Sequence, residues 1–184
     1  MDSTQSRLSR YVSVILVVMT IIMSGFVAPG ARGQDPQSTQ PPSASDIADG
    51  MRLYQQKGNC QACHGWAGDG RKMDSQMPDG ANLRELPLDR EVVIKTVKCG
   101  RPGTGMPAFD RLAYSDGRCF GLKLSDLRAR GLEMPDPPAT LAANEVERLA
   151  DFLFAKVVGK GPIDHAACVD LWGSDVEACK ELKK

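Results

Sequence analysis

The chain has 184 residues, of which 42% are hydrophobic and 25% are charged, and its 23 basic residues equal its 23 acidic residues in number. This is the composition of a globular protein with room for one ordinary domain and extensions. Because basic residues are not in excess, nothing in the charge balance predicts a nucleic-acid partner.

The first 33 residues have the pattern of a secretory signal. Arg7 and Arg10 precede an apolar run over residues 11–28, and small residues follow at Ala31 and Gly33. This run is long for a signal peptide and reaches the length of a membrane span. We predict a cleaved signal peptide over residues 1–33 and a periplasmic protein. An N-terminal anchor in the inner membrane, facing the periplasm, is the alternative.

A flexible linker and a first helix follow the leader. Residues 34–45 are rich in proline, serine and glutamine and lack apolar periodicity, so they are predicted to be a linker. The folded domain is expected to begin near Asp46. This residue is predicted to be the N-cap of a helix, and Gly58 lies just past the end of that helix. The apolar face of this helix consists of Ile47, Met51 and Tyr54.

Cys60, Cys63 and His64 form a C-x-x-C-H motif, which is the spacing of a c-type haem attachment site. Each thiol can add to one vinyl group of a haem, while the adjacent imidazole ligates the iron. Zinc and redox dithiol sites also use C-x-x-C, but zinc needs a second ligand pair and a thioredoxin-like dithiol needs a βαβ context. The only other histidine, His165, is predicted to be a surface residue. The motif occurs once, so one covalent haem c is predicted.

A second helix is predicted after an irregular, glycine-rich loop. It starts at the N-cap Asp89 and stops at Gly100. Its inward face is expected to contain Val92, Val93, Thr96 and Val97.

The second axial iron ligand decides what such a haem does. Methionine closes the iron and gives an electron carrier, whereas an exchangeable position gives ligand binding or peroxide chemistry. Met106 is the better candidate, because Gly103 and Gly105 allow the backbone close to a porphyrin and neighbouring prolines stiffen the loop. Met134, on a proline-stiffened loop before the last helix, is the competing candidate. The third interpretation is that "GTGMP", the stretch that contains Met106, is only a turn.

The third helix has the strongest periodicity in the chain. It is predicted over "NEVERLADFLFAKVVG" and ends at Gly159. The residues of its apolar stripe are Val146, Leu149, Leu153 and Val157. The domain is thus predicted over residues 46–158, with an insertion at 110–138 and a C-terminal extension at 159–184.

The extension is predicted to be a helical hairpin. Asp164 caps a first helix that Gly173 ends, and a capping box over residues 174–177 begins a second. Folding back at Gly173 brings Cys168 and Cys179 together, whereas a continuous helix would hold them about 16 Å apart, too far for a disulfide.

Cys99 and Cys119 are the other two cysteines outside the haem motif. Cys99 ends the second helix and Cys119 lies just beyond the Met106 loop, so this pair would hold the insertion beside the haem. Four cysteines allow three pairings. We predict Cys99–Cys119 and Cys168–Cys179, with free thiols as the alternative for an exported chain.

Taken together, several stretches resemble a bacterial class I (monohaem) c-type cytochrome. They are the helix with Gly50 and Tyr54, then "CQACHG", the loop with "GANL", "IKTVKCGRPGTGMPAF" and "LAANEVERLADFLF". The resemblance covers residues 46–109 and 139–158. It implies a mainly α cytochrome c fold of three core helices around one covalent haem. The first and last helices would cross near Gly50 and Tyr54, against Phe152 or Leu149.

The resemblance also implies that His64 and Met106 ligate the iron and that the carbonyl of Pro78 accepts the Nδ1 proton of His64. Two features depart from the family. The insertion places Met134 where a shorter member's methionine would align, and the family does not explain the extension.

These observations predict a periplasmic one-electron carrier that accepts electrons from an exported dehydrogenase. Its partners would be redox proteins, either a dehydrogenase or a terminal oxidase, and a membrane only if the N-terminal segment is retained. The alternative function is a haem sensor or peroxidase-like enzyme with an exchangeable sixth ligand. A basic rim around the haem edge is also expected, formed by Lys57, Arg71, Lys72, Lys95, Lys98 and Arg101.

Overall fold

The computed structural model describes residues 41–182, so the predicted signal peptide or anchor and most of the predicted linker lie outside the described residues. The described part of the chain contains helices and turns and no β-strand, which confirms the mainly α prediction. The helices are α1 (Ala44–Arg52), continued by a π-helical turn (Leu53–Lys57), α2 (Gln61–His64), α3 (Arg90–Cys99), α4 (Leu124–Ala129), α5 (Ala143–Lys156), α6 (His165–Trp172) and α7 (Glu177–Lys180).

Helix α1 begins earlier than the sequence predicted. Ser43, not Asp46, is its N-cap: the Ser43 hydroxyl accepts the Asp46 N–H at 3.2 Å, and the Asp46 carboxylate accepts the Ser43 N–H at 3.3 Å. This is the reciprocal capping box, in which the acidic residue occupies the third helical position. The helix therefore starts inside the predicted linker 34–45.

The core forms where α1 crosses α5. A Cβ atom at Gly50 would lie 2.0 Å from the carbonyl oxygen of Arg148, so only glycine allows the two backbones to approach this closely. One turn further on, the rings of Tyr54 and Phe152 pack with their centroids 5.7 Å apart. The crossing implied by the family resemblance is thus present. The predicted stripe of α5 is buried throughout, at Val146, Leu149, Leu153 and Val157.

Helix α3 has the predicted N-cap, since the Asp89 carboxylate accepts the Val92 N–H at 3.1 Å. Its core face contains Val93, Ile94 and Val97, all of which are buried. Val92 was expected to face inward, but its side chain is 56% exposed. The apolar side chain of Val92 instead lines the cavity described below.

The insertion is a compact layer and not a loose loop. Its core contains Tyr114, Cys119 and Leu127, which are buried against Cys99 at the end of α3. Cys99 and Cys119 form a disulfide with a Cα–Cα distance of 5.4 Å. The Tyr114 hydroxyl donates to the carbonyl of Cys99 at 2.6 Å.

The C-terminal extension folds as a hairpin. The Asp164 carboxylate accepts the Ala167 N–H at 2.8 Å, and Gly173 ends α6 with a φ of +72°. The predicted capping box at 174–177 is wrong, because α7 begins at Glu177 after Val176, whose side chain cannot cap. Cys168 and Cys179 form a disulfide, which we call the tail disulfide.

His165 lies in this hairpin with its side chain half-buried. Its Nε2 is 3.2 Å from the carboxylate of Asp175, across the turn.

Arg84 connects the hairpin to the rest of the domain. Only 1% of Arg84 is exposed, and its Nε donates to the carbonyl of Gly161 at 2.6 Å. Burial lowers the pKa of this guanidinium, while Asp69, Asp164 and Asp170 oppose the shift. Nearby, the indoles of Trp66 and Trp172 stack with centroids 6.1 Å apart. The extension is therefore packed on the loop that follows the C-x-x-C-H motif.

Within residues 41–182, no helix combines the length and the apolar character needed to cross a membrane.

Candidate functional site

A cavity of about 560 Å³ lies between the C-x-x-C-H motif, helix α3 and the loop that carries Met106. Cys60, Cys63, His64 and Met106 all line it. Most of its remaining wall is apolar and comes from Tyr54, Leu83, Leu86, Leu88, Val92, Val93, Val97, Phe109, Leu149, Leu153 and Val158. One cavity thus contains every residue that the sequence predicted as a haem contact, apart from Met134.

The C-x-x-C-H motif occupies the single turn of α2. The turn closes through the His64 N–H, which donates to the carbonyl of Cys60 at 2.9 Å. The preceding π-helical turn positions Cys60, whose N–H donates to the carbonyl of Tyr54 at 2.8 Å. The Tyr54 hydroxyl in turn donates to the carbonyl of Gly65 at 2.7 Å. The motif is therefore held at both ends by the buried tyrosine of the helix crossing.

The His64 ring is oriented by a backbone carbonyl. Its Nδ1 lies 2.9 Å from the carbonyl oxygen of Ala81, which can only accept, so Nδ1 carries the proton and Nε2 is free for a metal. The family resemblance implied that the Pro78 carbonyl accepts this proton, and that prediction is wrong. The Pro78 ring packs instead on the Met106 loop, where a Cβ atom at Gly105 would lie 2.3 Å from the Pro78 Cγ.

A short set of internal hydrogen bonds shapes the Met106 loop. The Arg101 N–H donates to the Met106 carbonyl at 3.0 Å, and the Met106 N–H donates to the Thr104 hydroxyl at 3.2 Å. Gly100 lets the chain pass under this loop, since a Cβ atom there would lie 2.7 Å from the Met106 carbonyl oxygen. Met134 does not line the cavity and packs in the cluster around Tyr114.

Burial keeps the titratable groups of the motif neutral. It raises the pKa of the Cys60 thiol to about 12 and also raises that of Cys63. These thiols stand for the sulfurs that haem attachment converts to thioethers, which do not titrate. Burial lowers the pKa of His64, and the hydrogen bond that its Nδ1 donates to the Ala81 carbonyl opposes this shift. A neutral imidazole is the form that ligates a metal.

The residues of the cavity fit a covalently attached haem. Its volume lies within the range of about 300–1,000 Å³ that is usual for small-molecule and cofactor sites. Met77, Leu86 and Val92 are large apolar side chains exposed on its wall, and apolar surface of this kind is stabilised by an apolar ligand. Among the described residues, no group of three or more His, Cys, Asp or Glu side chains could hold a metal ion in another way.

A C-x-x-C-H turn, an imidazole with a carbonyl partner and a methionine on one apolar cavity are the features expected of a c-type cytochrome. Residues 45–118 match the family described as "Cytochrome C oxidase, cbb3-type, subunit III". This match supports a bacterial c-type cytochrome, and a domain of that kind indicates electron transfer by haem. A search of curated proteins and a search of solved structures found no match to the chain.

Ala81 is a site residue that sequence reasoning missed. It contributes a backbone carbonyl, which every residue type possesses, so no sequence signal distinguished it from Pro78.

The predicted basic rim is only partly present. Lys57 pairs with Glu145 at 2.7 Å, Lys72 with Asp79 at 3.1 Å and Arg71 with Asp69 at 3.6 Å. Within residues 41–182, the three basic residues of the predicted rim without an ionic partner are Lys95, Lys98 and Arg101.

Proposed function

We propose that the protein is an exported one-electron carrier with a single haem c, attached at Cys60 and Cys63 and ligated by His64 and Met106. The observation that carries the proposal is that one apolar cavity is lined by both cysteines, by the Nδ1-bonded histidine and by Met106. Met134 lies in a different cluster, so it is not proposed as a ligand.

A haem bound here would supply a one-electron couple at its iron, and histidine with methionine as axial ligands sets a raised potential. The chain's own residues hold and shield that group. Cys60 and Cys63 fix it covalently, and Ala81 fixes the tautomer and plane of His64. The apolar walls exclude water and keep the site rigid, so little rearrangement accompanies oxidation.

Export is part of the proposal. The leader over residues 1–33 supports a periplasmic protein, either released or held by that segment in the inner membrane. The two proposed disulfides agree with an oxidising compartment.

We also propose that the protein passes electrons between an exported dehydrogenase and a terminal oxidase. The description of the matched family names an oxidase subunit, and that is the support for the oxidase side.

The mass and spectrum of the purified protein test the haem assignment. The intact mass should equal the chain after residue 33 plus one haem. The ferric spectrum should contain the methionine-to-iron band near its red edge. Met106→Ala should abolish this band and lower the potential, because soft thioether ligation favours the ferrous state.

Met134→Leu is the matched control: it removes the thioether but keeps an apolar side chain of similar volume, so it should leave both the band and the potential unchanged. If the two variants exchange these outcomes, Met134 is the ligand. If the band is absent from the unmodified ferric protein, the iron has an exchangeable position and the sensor or peroxidase-like alternative is preferred.

Docking to an acidic partner through Lys95, Lys98 and Arg101 is the remaining element of the proposal. Arg101 lines the haem cavity and Lys98 lies one turn before it in the chain. Exposed charges of this kind steer encounter, so the association rate should fall as salt is added. Lys98→Gln should reduce this salt dependence, whereas Lys57→Gln, which removes an already paired charge, should reduce it less. A flat salt profile for the unmodified protein would contradict the proposed surface.

A further inference from the structure

We propose that the insertion, residues 110–138, is an outer brace that keeps Met106 in the haem cavity, with Cys99–Cys119 as its covalent attachment. The inference rests on the proposed ligation of the iron by Met106. It assigns a positioning role to residues that lie outside both the haem motif and the Met106 loop.

The Met106 loop is confined on two sides. On one side the ring of Pro78 packs against Gly105. On the other side the insertion packs against Gly103: the Gly103 N–H donates to the carbonyl of Glu133 at 3.0 Å, and a Cβ atom at Gly103 would lie 3.1 Å from the Leu132 side chain. Displacing the loop therefore requires that hydrogen bond to break or the insertion to move with it.

The end of the insertion also reaches the haem cavity. Pro135, Asp136 and Pro138 line it together with Met106. The insertion thus contacts the Met106 loop at Gly103 and shares the cavity wall with it.

The insertion is itself firmly attached to α3. Cys119 is fully buried and bonded to Cys99, the last residue of that helix. The buried Tyr114 adds a hydrogen bond from its hydroxyl to the Cys99 carbonyl at 2.6 Å. Outside this core, the Lys95 ammonium donates to the carbonyl of Arg118 at 2.5 Å. All three attachments join the insertion to α3, the helix that leads directly into the Met106 loop.

Met134, the alternative ligand from the sequence, has a place in this arrangement. It packs with Leu132 against the buried cluster of Tyr114, Cys119 and Leu127. Its thioether is therefore part of the packing that holds the brace together.

Without the brace, the Met106 loop would retain the packing of Pro78 on Gly105 and its own short hydrogen bonds, one from the Arg101 N–H to the Met106 carbonyl and one from the Met106 N–H to the Thr104 hydroxyl. Segments with few buried contacts open locally at low free-energy cost. The disulfide spans 20 residues that include the whole Met106 loop, so it also limits how far an opened loop can depart. Weakening the brace should thus increase exchange of the sixth ligand.

The experiment compares two disulfides of the same chain. Cys99→Ala/Cys119→Ala removes the proposed attachment, and the matched control Cys168→Ala/Cys179→Ala removes the tail disulfide. Two properties of the ferric holoprotein are measured: its affinity for imidazole, read from loss of the red-edge band, and amide hydrogen exchange at Gly103.

We expect the first variant to bind imidazole at least about tenfold more tightly and to exchange the Gly103 amide at least about tenfold faster, a tenfold change in an equilibrium being about 1.4 kcal/mol. The control should change either property by less than about twofold. Tyr114→Phe keeps the disulfide, and loss of one hydrogen bond should raise both by about two- to tenfold.

If both disulfide variants change imidazole affinity and Gly103 exchange equally, the cause is general destabilisation, and the proposed brace is wrong. Unchanged Gly103 exchange in both Cys99→Ala/Cys119→Ala and Tyr114→Phe would also overturn it. Failure of the ligand assignment is separate: it appears as an unaltered spectrum in Met106→Ala, while Gly103 exchange still reports on the brace. If the double variant does not mature, Tyr114→Phe decides.

Discussion

Replacement of Gly50 by alanine tests the closest contact between α1 and α5. The added Cβ would lie 2.0 Å from the Arg148 carbonyl oxygen and 2.6 Å from the Phe152 Cβ, whereas ordinary contact begins at about 3.4 Å. The nearest obstacle is backbone, so it cannot be relieved by turning a side chain. The two helices must separate by more than 1 Å, which also loosens the packing of Tyr54 on Phe152.

The expected cost combines two opposing effects. Overpacking of a core typically destabilises by about 1–3 kcal/mol and sometimes more. Alanine is preferred to glycine inside a helix by about 1 kcal/mol, which offsets part of this. Because the clash involves backbone at 2.0 Å, we place the steric cost at the upper end and expect a net loss of about 2 kcal/mol.

The assay is equilibrium denaturant unfolding of the ferric holoprotein, followed at the haem band and by helical circular dichroism. Ala48→Gly, at an exposed position of the same helix, measures the propensity contribution separately. A Gly50→Ala protein as stable as the unmodified one, with Ala48→Gly showing its normal cost, would refute the close crossing.

Three further perturbations follow from the same contacts. Tyr54→Phe should lower the free energy of unfolding by about 1–3 kcal/mol, because the buried Gly65 carbonyl loses its donor; an unchanged denaturation midpoint would contradict this. The hydrogen bond from Lys57 lowers the pKa of Glu145, so that carboxylate contributes stability above its unfolded pKa of about 4.3, lost as the pH falls through its lower folded pKa. Stability measured from pH 6 to 3 should therefore fall less steeply in Glu145→Gln, and parallel curves would refute the pairing. Alanine at both cysteines of the tail disulfide should lower the free energy of unfolding by about 2–4 kcal/mol. A melting temperature of the unmodified protein that does not change on reduction would contradict this.

Local chemistry made much of the fold readable from the sequence. The Asp89 and Asp164 caps and the stop at Gly173 depend on groups a few residues apart, and the structure contains all three. The stripe of α5 was equally clear, because a helix buried on one side repeats its apolar residues with the helical period. The C-x-x-C-H motif is the most local signal of all, since two sulfurs and an imidazole within five residues are enough to predict one haem attachment site.

Some helix starts were predicted wrongly because neighbouring residues were equally suitable as N-caps. Ser43 and Asp46 are both good N-caps, and only their reciprocal hydrogen bonds show that serine is the cap and aspartate its partner. In the tail, the similar pattern at 174–177 did not form a capping box, and α7 begins at Glu177.

Contacts between distant residues were decided by the tertiary structure alone. Lys57 was predicted to belong to the basic rim, but it pairs with Glu145, which lies 88 residues further along the chain. Sequence periodicity carries no information about such a pair. The acceptor for His64 is the Ala81 carbonyl, chosen by where the loop passes and not by the kind of residue. Whether Met106 or Met134 reaches the cavity was likewise decided by packing: both have suitable neighbours in sequence, but Met106 lines the cavity and Met134 packs in the cluster around Tyr114.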